Sequence, residues 1–83
     1  MTVNSEIQMH DVVALLEEVP ARHFATNADL TLRRGQMGTV VMTYDGSAYE
    51  VEFADAEGRA FAILPISVEK LMLLYDAPAA VPA

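Results

Sequence analysis

The sequence predicts an all-β domain in which about five short strands curl into a small barrel. One observation is the dipeptide Asp45-Gly46, a strong hairpin signal because both central residues of a type I′ turn need positive φ. Another is the strict alternation after it, with Tyr49, Val51 and Phe53 on one strand face and glutamates on the other. The third is length, since 83 residues form one domain and short strands leave a bare sheet edge unless the sheet closes.

The first half of the chain is less regular. Residues 10–19, HDVVALLEEV, satisfy a helical spacing of apolar residues, yet the segment is short, begins with β-branched residues and is closed by Pro20. Helix and strand both fit this pattern. Residues 20–34 contain the turn-forming Asn27 and Asp29 and few periodic apolar residues. We therefore expect a long loop without regular structure after the first element, a feature that is often functional.

The remaining strands follow this loop. Residues 38–44 are rich in β-branched side chains and pair with residues 48–53 through the hairpin at 44–48. A type I turn at 55–58 introduces a strand at 59–64, one helical turn is expected at 67–69, and residues 70–75 form the last strand. The expected core consists of Val40, Tyr49, Val51, Phe53, Phe61, Ile63 and Leu73. We expect a flexible N-terminus over 1–9, the barrel domain over 10–75 and a disordered Ala/Pro tail over 76–83.

The charge balance limits the classes of partner. Twelve Asp and Glu residues against five Lys and Arg residues give a net charge of −7. A nucleic-acid binder needs a basic surface that releases phosphate counterions, so no nucleic-acid partner is expected. A basic protein partner suits this charge better, although an acidic balance is also ordinary solubility chemistry.

Composition limits the compartment and suggests self-association. The chain has no cysteine, and its N-terminus lacks the basic and apolar regions of a signal peptide. Its apolar runs are far shorter than a membrane span, so we expect a soluble cytoplasmic protein without a membrane partner. A hydrophobic fraction of 53% is high for so small a domain. We expect a homo-oligomer, most simply a dimer, because Val41, Leu64 and Met72 are hard to place inside the barrel.

The basic residues are unevenly distributed along this acidic chain. Three of the five lie between positions 22 and 34, in the expected long loop. The arginine doublet can bind a partner's carboxylates or pair internally with Glu50 and Glu52, and the residues leave both alternatives open. The predicted partner-binding residues are Arg22, His23, Phe24, Arg33 and Arg34.

No catalytic or metal-binding constellation stands out. His10 and His23 share no local ligand spacing, and none of the serines lies beside a histidine in a recognisable frame. Glu50 and Glu52 share a strand face, where such a pair more often solvates the surface than performs acid–base chemistry. We therefore expect no catalytic residues, no metal and no cofactor, and a protein that is not an enzyme.

Much of the chain resembles a family of small bacterial proteins catalogued as domain of unknown function 4926. The resemblance lies in DVVALLEEVP, in RRGQMGTVVMTYDGSAYEVEFADAEGR and in a closing LMLLY, and covers residues 11–75. It implies an SH3-like five-stranded barrel in which residues 10–19 form the first strand. The long loop then takes the place of the SH3 RT loop. The resemblance implies no activity.

A looser resemblance is to the SH3-like domain of the nitrile hydratase β subunit, which carries an RG-x-x-G-x-V run. Arg34, Gly35, Gly38 and Val40 fall on that pattern. In that family the metal ligands lie on the other subunit, and this chain lacks the long helical arm of the β subunit. The two glycines can be read as part of an anion-binding backbone nest or as a means of tight packing where the strand begins, and no helix follows them.

These observations leave three functional hypotheses. The first is a non-enzymatic protein-interaction module, such as an antitoxin or immunity-like partner of a basic protein. The second is an accessory subunit, or a relative, of a nitrile hydratase-type metalloenzyme β subunit. The third is a small structural domain whose only partner is itself. A toxin-like neighbouring gene favours the first hypothesis, and a metal-binding α subunit favours the second.

Overall fold

The computed structural model describes residues 7–82, which form an all-β domain without an α-helix in that part of the chain. The all-β prediction is therefore confirmed. Residues 1–6 of the predicted flexible N-terminus and Ala83 of the predicted tail lie outside the described residues. The elements are β1 (Val12–Leu15), β2 (Val19–Arg22), β3 (Asp29–Leu32), β4 (Met37–Tyr44), β5 (Ala48–Ala54), β6 (Ala60–Ser67), a 3₁₀ turn (Val68–Lys70) and β7 (Leu71–Leu73).

The strands form two antiparallel sheets. Five of them are ordered β6-β5-β4-β1-β7, and β2 pairs with β3 in a separate hairpin. Within residues 7–82 the edge strands β6 and β7 do not pair with each other, so the expected closed barrel is not observed. The β2–β3 hairpin lies against the β6 edge instead, where the amide of Phe24 donates a hydrogen bond of 3.0 Å to the carbonyl of Phe61. This contact covers part of an edge that closure would have removed.

The ambiguous first segment is a strand, because β1 is held on both sides. Val13 lies opposite Gly38 of β4 and opposite Leu73 of β7. The backbone groups of β1 are therefore satisfied by two neighbours, which a helix at this position could not provide.

The expected long loop is wrong, because its residues form the β2–β3 hairpin. The register runs from Val19 opposite Leu32 at the base to Arg22 opposite Asp29 near the tip. Asn27 closes the tip with φ of 62°, a conformation that asparagine tolerates. Pro20 masked the strand pattern, yet a proline is compatible with a strand that lies at a sheet edge.

The core lies between the five-stranded sheet and the hairpin. Val40, Tyr49, Val51 and Phe53 are buried as predicted, whereas Phe61 and Leu73 are half-buried against the core. Ile63 is 43% exposed, so its assignment to the core is wrong. The core also contains buried residues outside the expected set of seven, namely Ile7, Val13, Leu15, Val19, Leu32, Ile66 and Leu71.

The tight turns match the expectations. Asp45 and Gly46 have φ of 38° and 84°, as the predicted hairpin turn requires. In the following turn the amide of Gly58 donates to the carbonyl of Asp55 at 2.9 Å, as in a type I turn. The 3₁₀ turn before β7 confirms the predicted helical turn to within one residue.

Candidate interaction site

The arginine doublet lies in a tight turn that joins the hairpin to β4. In this segment, the arginine turn (Arg33, Arg34, Gly35 and Gln36), the amide of Gln36 donates to the carbonyl of Arg33 at 2.9 Å. Gly35 has φ of 88°, as the third residue of a type II turn requires. The amide of Arg33 donates to the Gln36 side-chain Oε1 at 2.8 Å. The turn conformation is thus held by backbone and glutamine contacts and does not depend on the guanidinium groups.

The arginine turn is also fixed to the end of β1. The amide of Gly35 donates to the carbonyl of Leu15 at 2.7 Å, and the amide of Leu15 donates to the carbonyl of Gln36 at 3.0 Å. These bonds use the turn amides that an anion-binding nest would need. An anion at this position would therefore meet the two guanidinium groups and not a backbone cradle.

The charges of the doublet are not neutralised within residues 7–82. The ion pairs of that region join Arg22 to Asp29, Arg59 to Asp55 and to Glu57, and Lys70 to Glu17. The internal pairing of Arg33 and Arg34 with Glu50 and Glu52, one of the two alternatives, is not among them.

The sheet register explains why that internal pairing does not form. Glu52 lies opposite Thr39 and Glu50 opposite Met42, whereas the arginines precede Met37, the first residue of β4. Glu50 instead accepts a hydrogen bond of 2.6 Å from the Tyr44 hydroxyl. This bond raises the pKa of Tyr44, because loss of the phenolic proton would remove the donor beside a carboxylate.

The other predicted partner-binding residues lie at the hairpin tip and shape it. Arg22 pairs with Asp29 at 3.4 Å. The Nδ1 atom of His23 accepts hydrogen bonds from the amides of Ala25 and Thr26 at 3.1 and 3.3 Å. The His23 ring centroid lies 6.3 Å from that of Phe61 on β6. The phenyl ring of Phe24 remains largely exposed.

The structure therefore separates the five predicted site residues into two groups. Arg22, His23 and Phe24 lie at the tip, and Arg33 and Arg34 lie at the base. Three residues of strand separate tip from base, or about 10 Å. An extended protein segment that lies along the hairpin can contact both groups, whereas a small ligand cannot.

Sequence reasoning missed an apolar area on the outer face of the sheet, the outer patch (Val12, Leu16, Met37 and Met72). Their side chains are 43%, 42%, 62% and 48% exposed, in that order. The available signal was VVALL at 12–16, which is apolar at every position, whereas a half-buried strand alternates. Of the residues on which the oligomer expectation rested, Met72 lies in this patch, whereas Leu64 packs against the core.

Residues 7–82 hold no group of three or more His, Cys, Asp or Glu side chains that could bind a metal ion, and no buried polar or charged side chain. No helix there is long and apolar enough to cross a membrane.

The fold and the site define a small antiparallel all-β domain with an exposed arginine turn whose two guanidinium groups form no ion pair within residues 7–82. The chain matches the model of the family described as domain of unknown function (DUF4926) over residues 9–73 and belongs to that family. The predicted family is thus confirmed, and its description names no activity. No curated protein and no solved structure matches the chain.

Proposed function

We propose that the protein is a non-enzymatic protein-interaction module that binds carboxylates of a protein partner through Arg33 and Arg34. The observation that carries this proposal is the absence of an ion pair for either arginine within residues 7–82, in a chain of net charge −7. The other arginines and the lysine in that region do have carboxylate partners.

The arginine turn suits this role physically. A guanidinium group binds a carboxylate through two parallel hydrogen bonds, and such charge-assisted bonds are among the stronger ones in proteins. Since the turn is already fixed by its contacts with Leu15 and Gln36, little backbone entropy is lost when a partner binds. At the hairpin tip, the exposed ring of Phe24 offers an apolar contact to the same partner segment. Arg22 and His23 hold that tip in place.

The test is co-purification of the affinity-tagged protein with the product of the neighbouring gene. Arg33→Ala combined with Arg34→Ala should abolish the interaction. Arg59→Ala is the matched control, because it removes an exposed arginine that already pairs with Asp55 at 3.5 Å. Full binding by the doublet variant, or equal loss in the control, would contradict the proposal.

The detailed fold that suits this function is the SH3-like one. Its support is a five-stranded antiparallel order in which the last strand pairs with the first, with a 3₁₀ turn before that last strand. Along the chain, the β2–β3 hairpin is inserted between β1 and β4, the first two strands of the five, where an SH3 domain carries its RT loop. SH3-like barrels host many functions, so the fold supports an interaction role without specifying the partner.

Two specific roles follow from this proposal. In an antitoxin or immunity-like role, the acidic surface would mask a basic protein encoded nearby. In the second role, the chain would be an accessory subunit of nitrile hydratase type. That role is favoured by the RG-x-x-G run, in which Gly35 has positive φ and Gly38 is tightly packed. A toxin-like gene beside this one supports the first role, and a metal-binding α-subunit gene supports the second.

A further inference from the structure

The outer patch spans β4, β1 and β7, the three strands at one side of the five-stranded sheet. Ala14 of β1 lies at its centre, opposite Met37 of β4 on one side and Met72 of β7 on the other. Ala14 is only 4% exposed, whereas both methionines are about half exposed. Cross-strand neighbours share a face, so the long methionine side chains flank the alanine on the outside of the sheet. The result is a continuous apolar row over three strands.

An apolar outer face is unexpected at this position. In β1 the inward side chains Val13 and Leu15 are buried, yet the outward Val12 and Leu16 are apolar as well. A strand with apolar residues on both faces is typical of one that is covered on both sides. By contrast, β5 presents glutamates outward, as a solvated face does. An open groove of about 500 Å³ lies at one end of the patch, and its lining includes Val12 and Met37 of the patch together with Asp11, Tyr75 and Asp76.

Opposite charges lie at the two ends of this patch. The arginine turn is bonded to Leu15 at the C-terminal end of β1. Asp11 precedes the strand, and Asp76 follows a segment in which the amide of Leu74 donates to the carbonyl of Val12 at 3.0 Å. Within residues 7–82 neither aspartate belongs to an ion pair. The carboxylate of Asp11 accepts a hydrogen bond of 2.8 Å from the backbone amide of Gln8.

We propose that a second copy of this chain docks face to face on the outer patch, with a two-fold axis that lies in the plane of the interface, above Ala14, and runs across β1. Such an axis reverses the strand direction and brings the same apolar row of each copy together. It also turns each arginine turn towards the end of the other copy that carries Asp11 and Asp76. This inference rests on the proposed function, because it names one source of the carboxylates that the doublet binds.

The same axis keeps the outward glutamates of β5 apart. Glu52 lies in the row of Thr39 and Val12, two residues from the row of Ala14. The two copies of Glu52 are therefore separated by about 14 Å along the strand direction. That distance exceeds the Debye length of about 8 Å at physiological ionic strength, so salt screens their repulsion.

The first test is the mass of the full chain in solution, measured by light scattering from micromolar to millimolar concentration. We expect the mass to approach twice the 9.0 kDa of one chain. Met37→Lys should keep the protein monomeric, because it places a charge in the apolar row. Met42→Lys is the matched control, since Met42 lies on the same strand, is 51% exposed and is outside the patch. A wild-type mass of 9.0 kDa at every concentration overturns the inference.

The second test is a charge swap between the two ends of the patch. Arg34→Asp and Asp76→Arg should each give monomers. Each single change places two side chains of the same charge opposite each other, and the two-fold axis repeats this repulsion at the second contact. The chain that carries both changes should dimerise again, since the pair is restored with its signs exchanged. This rescue separates a specific contact from the general repulsion between two acidic chains. A swapped chain that stays monomeric overturns the two-fold arrangement.

The outcomes also separate this inference from the proposed function. The wild-type protein could be monomeric and still lose its binding to the neighbouring gene product when Arg33→Ala and Arg34→Ala are introduced. That result would overturn the proposal that the partner is a second copy, but it would support the proposed interaction role. A doublet variant that changes neither the mass nor the co-purification overturns both.

Discussion

Among the glycines, Gly38 is the position where an added methyl group should lower the free energy of unfolding most. A Cβ atom at Gly38 would lie 2.6 Å from Cγ1 of Val51, 2.9 Å from Cε1 of Phe53 and 3.0 Å from the carbonyl oxygen of Glu52. Val51 and Phe53 are both fully buried, and the third neighbour is backbone. None of the three can move away without disturbing the pairing of β4 with β5. We therefore predict that Gly38→Ala destabilises the fold.

The magnitude follows from two opposing terms. Forcing an extra carbon into a packed core costs about 1–3 kcal/mol. Replacing glycine by alanine also restricts the unfolded chain, which returns about 0.4–1 kcal/mol. The net loss is about 1–2 kcal/mol, or a fall in Tm of roughly 5–15 °C for a domain of this size. Thermal and urea unfolding followed by circular dichroism measure both quantities.

Gly35 provides the contrasting control. A Cβ atom there meets no atom within 4 Å, and the difficulty is only its φ of 88°. Asparagine tolerates positive φ, so Gly35→Asn should be milder than Gly35→Ala. At Gly38 the order should reverse, with Gly38→Asn worse than Gly38→Ala, because the limit there is space. An unchanged or raised Tm for Gly38→Ala would refute the reasoning.

Four further outcomes follow from the structure. Val51→Ala should cost about 1–3 kcal/mol of unfolding free energy, because it removes fully buried methyl groups; urea titration measures it. His23→Ala should speed hydrogen exchange of the two amides that donate to its Nδ1 atom, with little change in global Tm. The amide of Arg59 is the main cause of the lowered pKa of Asp55. Because the pKa of Asp55 is lower in the folded protein than its ordinary value of 3.8, the ionised carboxylate stabilises the fold at pH values above 3.8. This stability is lost as the pH falls through the folded pKa. Asp55→Asn should therefore flatten the acid limb of a plot of Tm against pH. At a protein concentration too low for two copies to associate, Arg33→Ala with Arg34→Ala should leave Tm unchanged, since neither side chain has an ion pair within residues 7–82.

The parts of the fold that depend on local sequence could be predicted. The Asp45-Gly46 turn and the alternation of β5 are encoded within a few residues, and both are as expected. The β2–β3 hairpin was missed because its evidence is a pairing between Val19 and Leu32 across an irregular segment that contains Pro20. Nothing within either arm alone distinguishes such a short edge strand from a loop.

The error at Ile63 has one physical cause, a bulge. If the register of the Ala54–Ala60 pair continued without a shift, Ile63 would lie opposite the buried Val51 and so in the core. The register instead shifts between Phe53 and Ala54, so that Val51 faces Leu64 and Ile63 faces Glu52. One extra residue in a strand moves every later side chain to the other face of the sheet. The sequence contains no marker for this bulge that would have prevented the error.

The candidate site shows the same division between local and long-range information. The sequence shows that basic residues are concentrated before β4. It also shows the two alternatives for the arginine doublet, which are internal pairing with glutamates and contact with a partner. The choice itself depends on where β4 and β5 align, because the register places Glu52 opposite Thr39 and beyond the arginine turn. The turn is then held by Leu15 and Gln36 without help from the guanidinium groups. Two arginines that neither stabilise the turn nor neutralise a neighbouring carboxylate within residues 7–82 are available for contacts with another chain, and this is the physical basis of the interaction role that we propose.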